Sequence, residues 1–570
     1  MIRRRKKWRA GYLSETYLKG DINPDDILLD TENLPSFDVE RLEGSIEKPI
    51  QKGIVYFFGV LSLLILLIYS VKAWNLQIVE GERLAEASEN NRLRHTTIIA
   101  ERGIITDRNE KFLAWNIPNE AGYFSLRKYI ESPGFAHVLG YISYPQSDTS
   151  GVYFQPHYEG KDGIEQAQDG KLAGTNGLKI TETDARNITI SESVLEPPTH
   201  GTMVTLSIDA DLQQKLFESI KNVANEVNFQ GGAGAIMDIE SGELYALVSF
   251  PEFSSQILTD GKDAKQIGAY ANDPLTPYIN RAVAGVYTPG SIVKPFIAIG
   301  ALNENIIDPD TKILSTGSIS IPNPYDKTKS TVFRDWRAHG YVDMRKAIAV
   351  SSDVYFYEVG GGFENQKGLG ISNIEKYLRL FGFGAETGID FSGEEIGTIP
   401  NPDWKYETFD GDEWRVGDTY NTAIGQYGMQ MTLIQALRGS AALARNGVLV
   451  EPTILKVEKR SERETSERIP IPLNYFEIVQ EGMREAVISG TAAALNLSGI
   501  KIAAKTGTAE LGVSKKLVNS WVIGYFPYEK PRFAFAVLME KGPRDNLVGA
   551  SAVSRRFFEW LVENKPEYTQ

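Results

Sequence analysis

The sequence predicts a multi-domain α+β protein with one N-terminal transmembrane helix, an extended β-rich module and a large C-terminal domain. Three observations carry this prediction. They are a long uncharged stretch, a following region of Gly, Asn and short apolar runs, and a final succession of strands and helices. The predicted boundaries are 1–52 for a tail, 53–73 for the membrane helix, 74–200 for the β-rich module and 201–570 for the large domain.

The membrane helix is predicted from Gly53–Val71, which contains no charged residue and lies between Lys52 and Lys72. At about 1.5 Å per residue this stretch crosses the hydrocarbon core of a bilayer. Six Arg and Lys within residues 3–9 favour a cytoplasmic N-terminus, although the charges nearest the helix are almost balanced. The acidic tail before it is either a solvated segment or contains a docking motif at 34–50.

The β-rich module is predicted from segments such as 102–116, where two apolar runs flank an Asp-Arg-Asn-Glu turn. The large domain opens with a helix capped by Asp209 and a hairpin over 232–250. Two further apolar strands at 519–527 and 532–540 precede a C-terminal helix. Two strands, many helices and then more strands ending in a helix indicate one antiparallel sheet flanked by helices.

The composition of the 570-residue chain limits its chemistry. It has no cysteine, which excludes disulfides, thiolate metal sites and a cysteine nucleophile. Its five histidines show no metal-binding spacing, so no metal or cofactor is expected. A net charge of −14 argues against a nucleic-acid partner. Hydroxyls, amines and carboxylates therefore remain as the reactive groups.

A Ser-x-x-Lys motif supplies the first candidate catalytic residues. The motif begins at Ser45, Ser125, Ser291 and Ser498, but only Ser291 follows a turn and precedes an apolar helical run. This context predicts that Ser291 lies at a helix N-terminus, where free backbone N–H groups can stabilise an oxyanion. Lys294 lies on the same helix face and could act as base if apolar neighbours exclude water. Alone, the motif is equally compatible with a capped helix and a solvent-facing lysine.

A second motif is Ser351-Ser352-Asp353, between an apolar run and an aromatic one. A hydroxyl followed two residues later by a polar group could relay a proton and hold the lysine, although the pattern is common by chance. Its place in the chain, after Ser-x-x-Lys, is what makes it informative.

The third motif is Lys505-Thr506-Gly507-Thr508, on a predicted strand. Lys505 offers a cation for a carboxylate, Thr506 and Thr508 offer hydroxyls, and Gly507 lets a substrate backbone come close. The edge of this strand could bind an extended peptide. The three motifs together, in this order, predict one active site.

With these motifs the chain resembles the penicillin-recognising serine acyl-transferases and, over about residues 53–570, a class B penicillin-binding protein. Four segments carry the wider resemblance: RGIITDRNEKFLA, GIEQAQDGKLAG, YTPGSIVKP and AIGQYGMQMT. HGYVDMRKAIAVSSDVYFY is similar to the elongation type, penicillin-binding protein 2, which commonly has Ser-x-Asp. The resemblance implies a membrane anchor, an elongated pedestal and a penicillin-binding transpeptidase domain with a five-stranded antiparallel sheet.

The resemblance also implies the activity of a peptidoglycan D,D-transpeptidase that cross-links stem peptides through a serine acyl-enzyme during cell elongation and shape maintenance. Ser291 would be the nucleophile and Lys294 its base. Ser351 would pass a proton to the leaving amine, and the backbone N–H groups of Ser291 and Thr508 would hold the oxyanion. The donor's terminal carboxylate would bind at Lys505, Thr506 and Thr508, and Gly507 would belong to the same substrate-binding segment.

Asp353 departs from the more widespread Ser-x-Asn pattern. A carboxylate near Lys294 would favour the charged amine and oppose its role as base. Pairing of Asp353 with Lys505 could offset that effect. In the pedestal, Arg102, Asp107 and Glu165 are expected to stabilise the module rather than to bind substrate.

The implied setting is a bacterial inner or plasma membrane, with the catalytic domain outside the cytoplasm and the N-terminus inside. The implied partners are D-Ala-D-Ala donors, amine acceptors, β-lactams and a SEDS-family, RodA-like glycan polymerase. The alternatives are a division-type transpeptidase, a D,D-carboxypeptidase or β-lactamase, and a catalytically silent scaffold or β-lactam sensor. A class A enzyme is excluded because no glycosyltransferase signature is present.

Overall fold

The computed structural model describes residues 52–569, apart from 121, 123, 150–152, 184–187, 324–325, 327 and 458–465. The acidic tail, its basic residues 3–9 and the docking motif expected at 34–50 therefore lie outside the described residues. The chain divides into two compact units, one ending at Arg92 and one running from Leu93 to the C-terminus.

An apolar helix dominates the described part of the first unit. Helix α1 (Lys52–Trp74) continues into a π-helical turn (Asn75–Val79), and α2 (Gly81–Arg92) follows. The stretch Lys52–Val79 is 28 residues long, and it is apolar enough to cross a bilayer, which requires about 20 residues. None of the α1 residues is buried in the protein. The helix fits a single-pass membrane anchor.

Short strands are the main regular elements of the chain from Leu93 to Thr205. The elements are β1 (Leu93–Ile98), β2 (Ile105–Thr106), β3 (Phe112–Ile117), β4 (Leu126–Tyr129), α3 (Ala136–Leu139), β5 (Ile142–Ser143), β6 (Gln146–Ser147), β7 (Tyr153–Gln155), β8 (Glu159–Gly160), α4 (Gly163–Ala167), α5 (Asp169–Leu172), β9 (Gly177–Thr183), β10 (Thr189–Glu196) and β11 (Val204–Thr205). They form a β1-β9-β10 sheet, a β11-β2-β3-β4 sheet and two-stranded pairs. The predicted strand, turn and strand at 102–116 correspond to β2 and β3.

A buried ion cluster ties this β-rich region together. The fully buried Glu165 accepts hydrogen bonds from Arg102 Nε at 2.5 Å and from Arg127 Nε at 2.8 Å. Arg102 also pairs with Asp169 at 2.7 Å. Asp107 holds the β2–β3 turn through Oδ1, which accepts two backbone N–H groups there at 2.8 Å, and its Oδ2 accepts from the start of the helix that follows β11 at 3.2 Å. These contacts agree with the structural role expected for Arg102, Asp107 and Glu165.

Helices and a large sheet follow from Ala210 onward. The elements are α6 (Ala210–Val227), β12 (Gly231–Asp238), β13 (Leu244–Phe250), α7 (Ser255–Asp260), α8 (Ala264–Asn272), α9 (Lys294–Asn303), β14 (Ile313–Ser315), β15 (Ser318–Pro322), β16 (Ser330–Arg334), β17 (Gly340–Val342), α10 (Met344–Val350), α11 (Asp353–Gly361), α12 (Ile371–Leu380), α13 (Pro402–Thr408), α14 (Val416–Ala423), α15 (Leu433–Ala444), β18 (Val448–Val450), β19 (Ser466–Arg468), α16 (Leu473–Ser489), β20 (Ala503–Leu511), β21 (Leu517–Phe526), β22 (Phe533–Pro543) and α17 (Ala550–Asn564). Asp209 caps α6 as predicted, accepting from two backbone N–H groups.

The large sheet is antiparallel and five-stranded, in the order β13-β12-β22-β21-β20. This confirms the fold class predicted above. Alternate residues point to opposite faces, so the sheet separates two cores. Ile236 and Val537 face the core that contains α6 and α17, whereas Ala235 and Leu538 face the core that contains α9 and α15. Strand β20, which carries the Lys-Thr-Gly motif, lies at the sheet edge.

Helix α9 lies at the centre of the second core. Its residues from Lys294 to Leu302 are all buried, and it has no polar face. A helix that is apolar all round belongs in an interior. Because α9 is buried here, the Lys294 side chain in its first turn is shielded from solvent.

Candidate active site

Ser291 lies in a short 3-10 turn (Gly290–Val293) that leads directly into α9. Gly290 has a φ of +58°, and a Cβ at this position would lie only 2.7 Å from the Thr508 carbonyl oxygen. Glycine is therefore required, and it brings the turn against β20. The Ser291 side chain is partly exposed, and its hydroxyl makes no hydrogen bond to any of the described residues. An incoming group can reach it from solvent.

Lys294 is completely buried beneath this turn. Its Nζ donates to Asp353 Oδ1 at 2.6 Å, to the Ser351 carbonyl at 2.9 Å and to Ser351 Oγ at 3.4 Å. It also lies 5.4 Å from the centre of the Phe356 ring, within the range of a cation–π contact. An ammonium has three protons to donate, and these acceptors account for all three. The Ser351 Oγ bond is the longest and hence the easiest to exchange for Ser291.

The Ser351–Asp353 segment joins two helices. Ser351 ends α10 in a left-handed conformation, with a φ of +59°, and Ser352 caps α11 through its side chain. Asp353 is then the first residue of α11, turned toward Lys294. A left-handed serine is uncommon and strained, which is typical of positions where function fixes a side chain.

Strand β20 supplies the other wall of the site. Lys505 Nζ donates to Ser351 Oγ at 2.9 Å, so the Ser351 hydroxyl lies between the two lysines. Thr506 donates to the Thr491 hydroxyl at 2.6 Å, and Thr508 is exposed. A Cβ on Gly507 would meet the Pro289 carbonyl at 2.7 Å, so its lack of a side chain serves the approach of the Ser291 turn.

Burial and charge both act on the ionisable groups. Burial lowers the pKa of Lys505 well below its usual range, and the nearby Lys294 cation lowers it further, while Asp353 opposes the shift. Burial raises the pKa of Asp353, the Lys294 cation opposes this, and the negative charge of Asp335 adds to it. The site therefore contains two close amines and one desolvated carboxylate around a central hydroxyl. Together, these amines, the carboxylate and the hydroxyl can accept a proton, hold it and return it.

The structure brings together the predicted residues of all three motifs. Lys294, Ser351, Asp353 and Lys505 meet through direct contacts, Ser291 lies in the turn that leads into Lys294, and the Gly507–Thr508 part of β20 packs against that turn. The ion pair expected between Lys505 and Asp353 is not formed. Asp353 pairs with Lys294 instead, because its place at the start of α11 directs it to that amine.

The other Ser-x-x-Lys serines lie elsewhere. Ser45 is outside the described residues, Ser125 donates to Glu101 near β4, and Ser498 is exposed in a loop. The local context of Ser291 was therefore the useful signal.

Two contributors were missed from the sequence. The buried carboxylate of Asp335 accepts from Ser352 Oγ at 2.9 Å and from Val354 N at 3.0 Å, which fixes the turn before Asp353. Thr491 holds Thr506. Neither lies in a recognisable motif, and both are far from their partners in the chain.

Comparison with protein-family models gives two matches. Residues 232–561 match the Penicillin binding protein transpeptidase domain, and residues 120–206 match the Penicillin-binding Protein dimerisation domain. The first match covers more than half of the chain and includes all three motifs.

Curated relatives align along most of the chain. The peptidoglycan D,D-transpeptidase MrdA of Acinetobacter baumannii is 29% identical, over 91% of this chain and 89% of its own length. MrdA of Salmonella typhimurium is 30% identical, over 78% of this chain and 74% of its own length.

Solved structures agree with the same fold. A complex of penicillin-binding protein PBP2 with MreC from Helicobacter pylori superposes with a TM-score of 0.69 at 26% identity, covering 83% of this chain and 99% of that one. A peptidoglycan synthase complex that coordinates polymerization and crosslinking gives a TM-score of 0.68 at 25% identity, covering 89% and 97%.

Proposed function

Since this chain belongs to the family of penicillin-binding protein transpeptidases, we propose that it cross-links peptidoglycan through an acyl-enzyme on Ser291. The chain is a serine-type peptidoglycan D,D-transpeptidase, similar over most of its length to MrdA proteins, the elongation type. The assignment of roles to individual residues is our proposal.

Acylation begins at Ser291. Its Oγ attacks the carbonyl of the penultimate D-Ala of a donor stem peptide, and its proton passes to Lys294 in its neutral form. The position of Lys294 supports this role, because it begins the helix that directly follows the Ser291 turn and its Nζ contacts the Ser351 hydroxyl. The developing oxyanion is held by the backbone N–H groups of Ser291 and Thr508, whose segments are in contact.

Breakdown of the tetrahedral intermediate requires a proton at the leaving nitrogen. Ser351 Oγ is placed to pass it, because it lies within hydrogen-bond distance of both Lys294 and Lys505. Terminal D-Ala leaves, and the amine of a second stem peptide then attacks the ester. The new amide C–N bond forms, the bond to Ser291 Oγ breaks, and the amine proton returns to that oxygen through Lys294.

The donor peptide binds along strand β20. The strand is a sheet edge, so an extended peptide can add to it by backbone hydrogen bonds. Its terminal carboxylate is held by Lys505 and by the hydroxyls of Thr506 and Thr508, while Gly507 keeps the strand against the nucleophile turn. A β-lactam occupies the same place and acylates Ser291.

We place the enzyme in the bacterial plasma membrane, anchored by α1 with its N-terminus inside and its catalytic domain outside. The apolar stretch Lys52–Val79 and the basic residues 3–9 support this orientation. A SEDS-family, RodA-like glycan polymerase is the proposed membrane partner. The similarity to a peptidoglycan synthase complex supports a role beside a polymerizing protein.

The observation that carries this proposal is the contact of Ser351 Oγ with both lysines, next to the turn that presents the partly exposed Ser291. It is tested by labelling detergent-solubilised full-length protein with a fluorescent penicillin. Wild type should become labelled and Ser291→Ala should not. Ser498→Ala, which removes an exposed serine from another Ser-x-x-Lys sequence, should be labelled like wild type.

Unchanged labelling of Ser291→Ala would remove Ser291 as the nucleophile. No labelling of wild type would favour the silent scaffold. If the acyl-enzyme forms but only water resolves it, the carboxypeptidase reading would be correct.

A further inference from the structure

We propose that a cluster of aromatic side chains beside the nucleophile turn, together with the carboxylates of its segment, binds the cationic amine of the acceptor stem peptide. The cluster consists of Trp404, Phe409, Trp414 and Tyr427, and we call it the aromatic platform. This inference rests on the proposed function, because it assigns the second substrate of the same site. The segment 401–416, which supplies three of the four rings, belongs to no motif identified from the sequence, whereas Tyr427 lies in AIGQYGMQMT.

The platform is a packed and ordered structure. The Tyr427 ring centre lies 6.0 Å from that of Trp404, 5.8 Å from that of Trp414 and 6.4 Å from that of Phe409, on which it stacks. A Cβ on Gly428 would lie 2.3 Å from the Trp404 ring, so glycine there lets the indole pack on the loop. These contacts hold the rings as a group.

A cluster of ion pairs around Lys405 contacts the platform. The buried Lys405 pairs with Asp412 at 2.9 Å and with Asp418 at 2.7 Å, and its Nζ lies 5.9 Å from the Tyr427 ring centre. It also donates to the Glu413 carbonyl at 2.6 Å. This network joins the two ends of the segment 401–418 and so fixes the positions of its exposed side chains.

The Tyr427 side of the platform lies close to Ser291. Gly290, the residue before Ser291, donates its N–H to the Gly425 carbonyl at 2.9 Å. Tyr427 follows Gly425 by two residues, so their Cα atoms are at most about 7 Å apart. Tyr427 is in a left-handed conformation, with a φ of +62°, which is strained for an aromatic residue. Strand β20 contacts Gly290 through Thr508, so this loop is a separate wall of the site.

The exposed groups of the platform suit a cation. Phe409 is 50% exposed and the adjacent Tyr406 is 62% exposed, so both can offer ring faces. The segment 401–418 has six carboxylates and two basic residues, and those two pair with Asp412 and Asp418. The carboxylates that form no ion pair with other described residues are Asp403, Glu407, Asp410 and Glu413.

An amine acceptor is the component of the reaction that matches this charge. A primary amine is mostly protonated at neutral pH, so it approaches as an ammonium. It must lose one proton to solvent before it attacks the Ser291 ester, and a second proton passes to Oγ as the amide forms. The donor end carries a carboxylate, which the acidic platform would repel, so the platform favours the acceptor over the donor.

The test separates the two half-reactions. Full-length enzyme is acylated with a small N-acyl-D-alanyl thioester, and partition between hydrolysis and aminolysis is measured with D-lysinamide, a cationic acceptor, and with hydroxylamine, a neutral one. The variant is Glu407→Gln/Asp410→Asn/Glu413→Gln. The matched control neutralises three exposed, unpaired carboxylates elsewhere: Glu477→Gln/Glu563→Gln/Glu567→Gln.

We expect the platform variant to lower aminolysis by D-lysinamide roughly tenfold relative to hydrolysis, with less effect at high salt. Aminolysis by hydroxylamine and acylation by a fluorescent penicillin should stay at wild-type rates, and the control should match wild type throughout. Phe409→Leu, which keeps an apolar side chain but removes the ring, should lower the D-lysinamide reaction about threefold.

Wild-type partition with D-lysinamide in the platform variant would overturn the inference and leave the proposed function standing. An equal loss with both acceptors would also overturn it, because charge would then not be the cause. Failure of wild type to be acylated at all would overturn the proposed function and this inference together.

Discussion

Replacing Asp353 with Asn removes a charge from the centre of the site while retaining an oxygen acceptor. Asp353 Oδ1 accepts from Lys294 Nζ at 2.6 Å, and the carboxylate side chain is 18% exposed. Before acylation, the negative charge stabilises the Lys294 ammonium and so opposes the use of this amine as a base. After proton transfer, the same charge stabilises the ammonium that has formed and so favours the reaction. These two effects largely cancel in the barrier, so Asp353→Asn should change the acylation rate by less than about tenfold, or ~1.4 kcal/mol.

The pH dependence of the same variant has a defined sign. Burial raises the pKa of Asp353, so protonation of this carboxylate contributes to the acid limb of the wild-type acylation profile, and that contribution should be missing in Asp353→Asn. The assay is the second-order rate of acylation by a fluorescent penicillin, measured from pH 5 to pH 9 as in a bell-shaped profile.

Asp353→Ala is the comparison that isolates orientation. It removes the acceptor as well as the charge, and a hydrogen bond to a charged group contributes about 1.5–3 kcal/mol. Acylation should then fall roughly 100-fold. If Asp353→Asn lowered acylation as much as Asp353→Ala does, or abolished it, the view that this residue mainly orients Lys294 would be refuted.

Three other predictions concern stability. Lys505→Met should abolish acylation and yet raise the free energy of unfolding by about 1–2 kcal/mol in chemical denaturation. The reason is that a buried amine whose pKa is lowered destabilises the fold at neutral pH. A variant less stable than wild type would contradict this. Glu165→Gln should cost about 3–5 kcal/mol, since the buried Arg127 loses its carboxylate and Arg102 keeps only Asp169, and a loss below 1 kcal/mol would show that the cluster is not needed. Burial lowers the pKa of His137 to about 4, so its contribution of about 3 kcal/mol is present above pH 6.5 and is lost as pH falls toward 4. His137→Gln should flatten that acid slope in melting experiments, and an unchanged slope would assign it to other groups.

The elements predicted from the sequence were those with a local cause. Asp209 caps a helix through groups two and three residues away, and the hairpin of β12 and β13 follows from two apolar runs around a turn. The position of Ser291 was predictable for the same reason, because the turn before it and the apolar run after it are adjacent in the chain.

The other features of the site depend on contacts between residues that are distant in the chain. The partner of Asp353 depends on where α11 begins, and that is fixed by Asp335, which is 17 residues before Ser352 and not part of a motif. The role of Gly507 was assigned to substrate, yet its nearest neighbours are Pro289 and Ile292, more than 200 residues away. The aromatic platform likewise forms from separate segments, so no spacing in the sequence marks it.

The most direct test of the central claim is to locate the acyl group. Full-length protein is treated with penicillin, digested and examined by mass spectrometry, in parallel with Ser291→Ala. Our account predicts one adduct, on the peptide that contains Ser291, and none in the variant. An adduct on Ser351 or on any other residue of wild type, or an adduct that persists in Ser291→Ala, would contradict it.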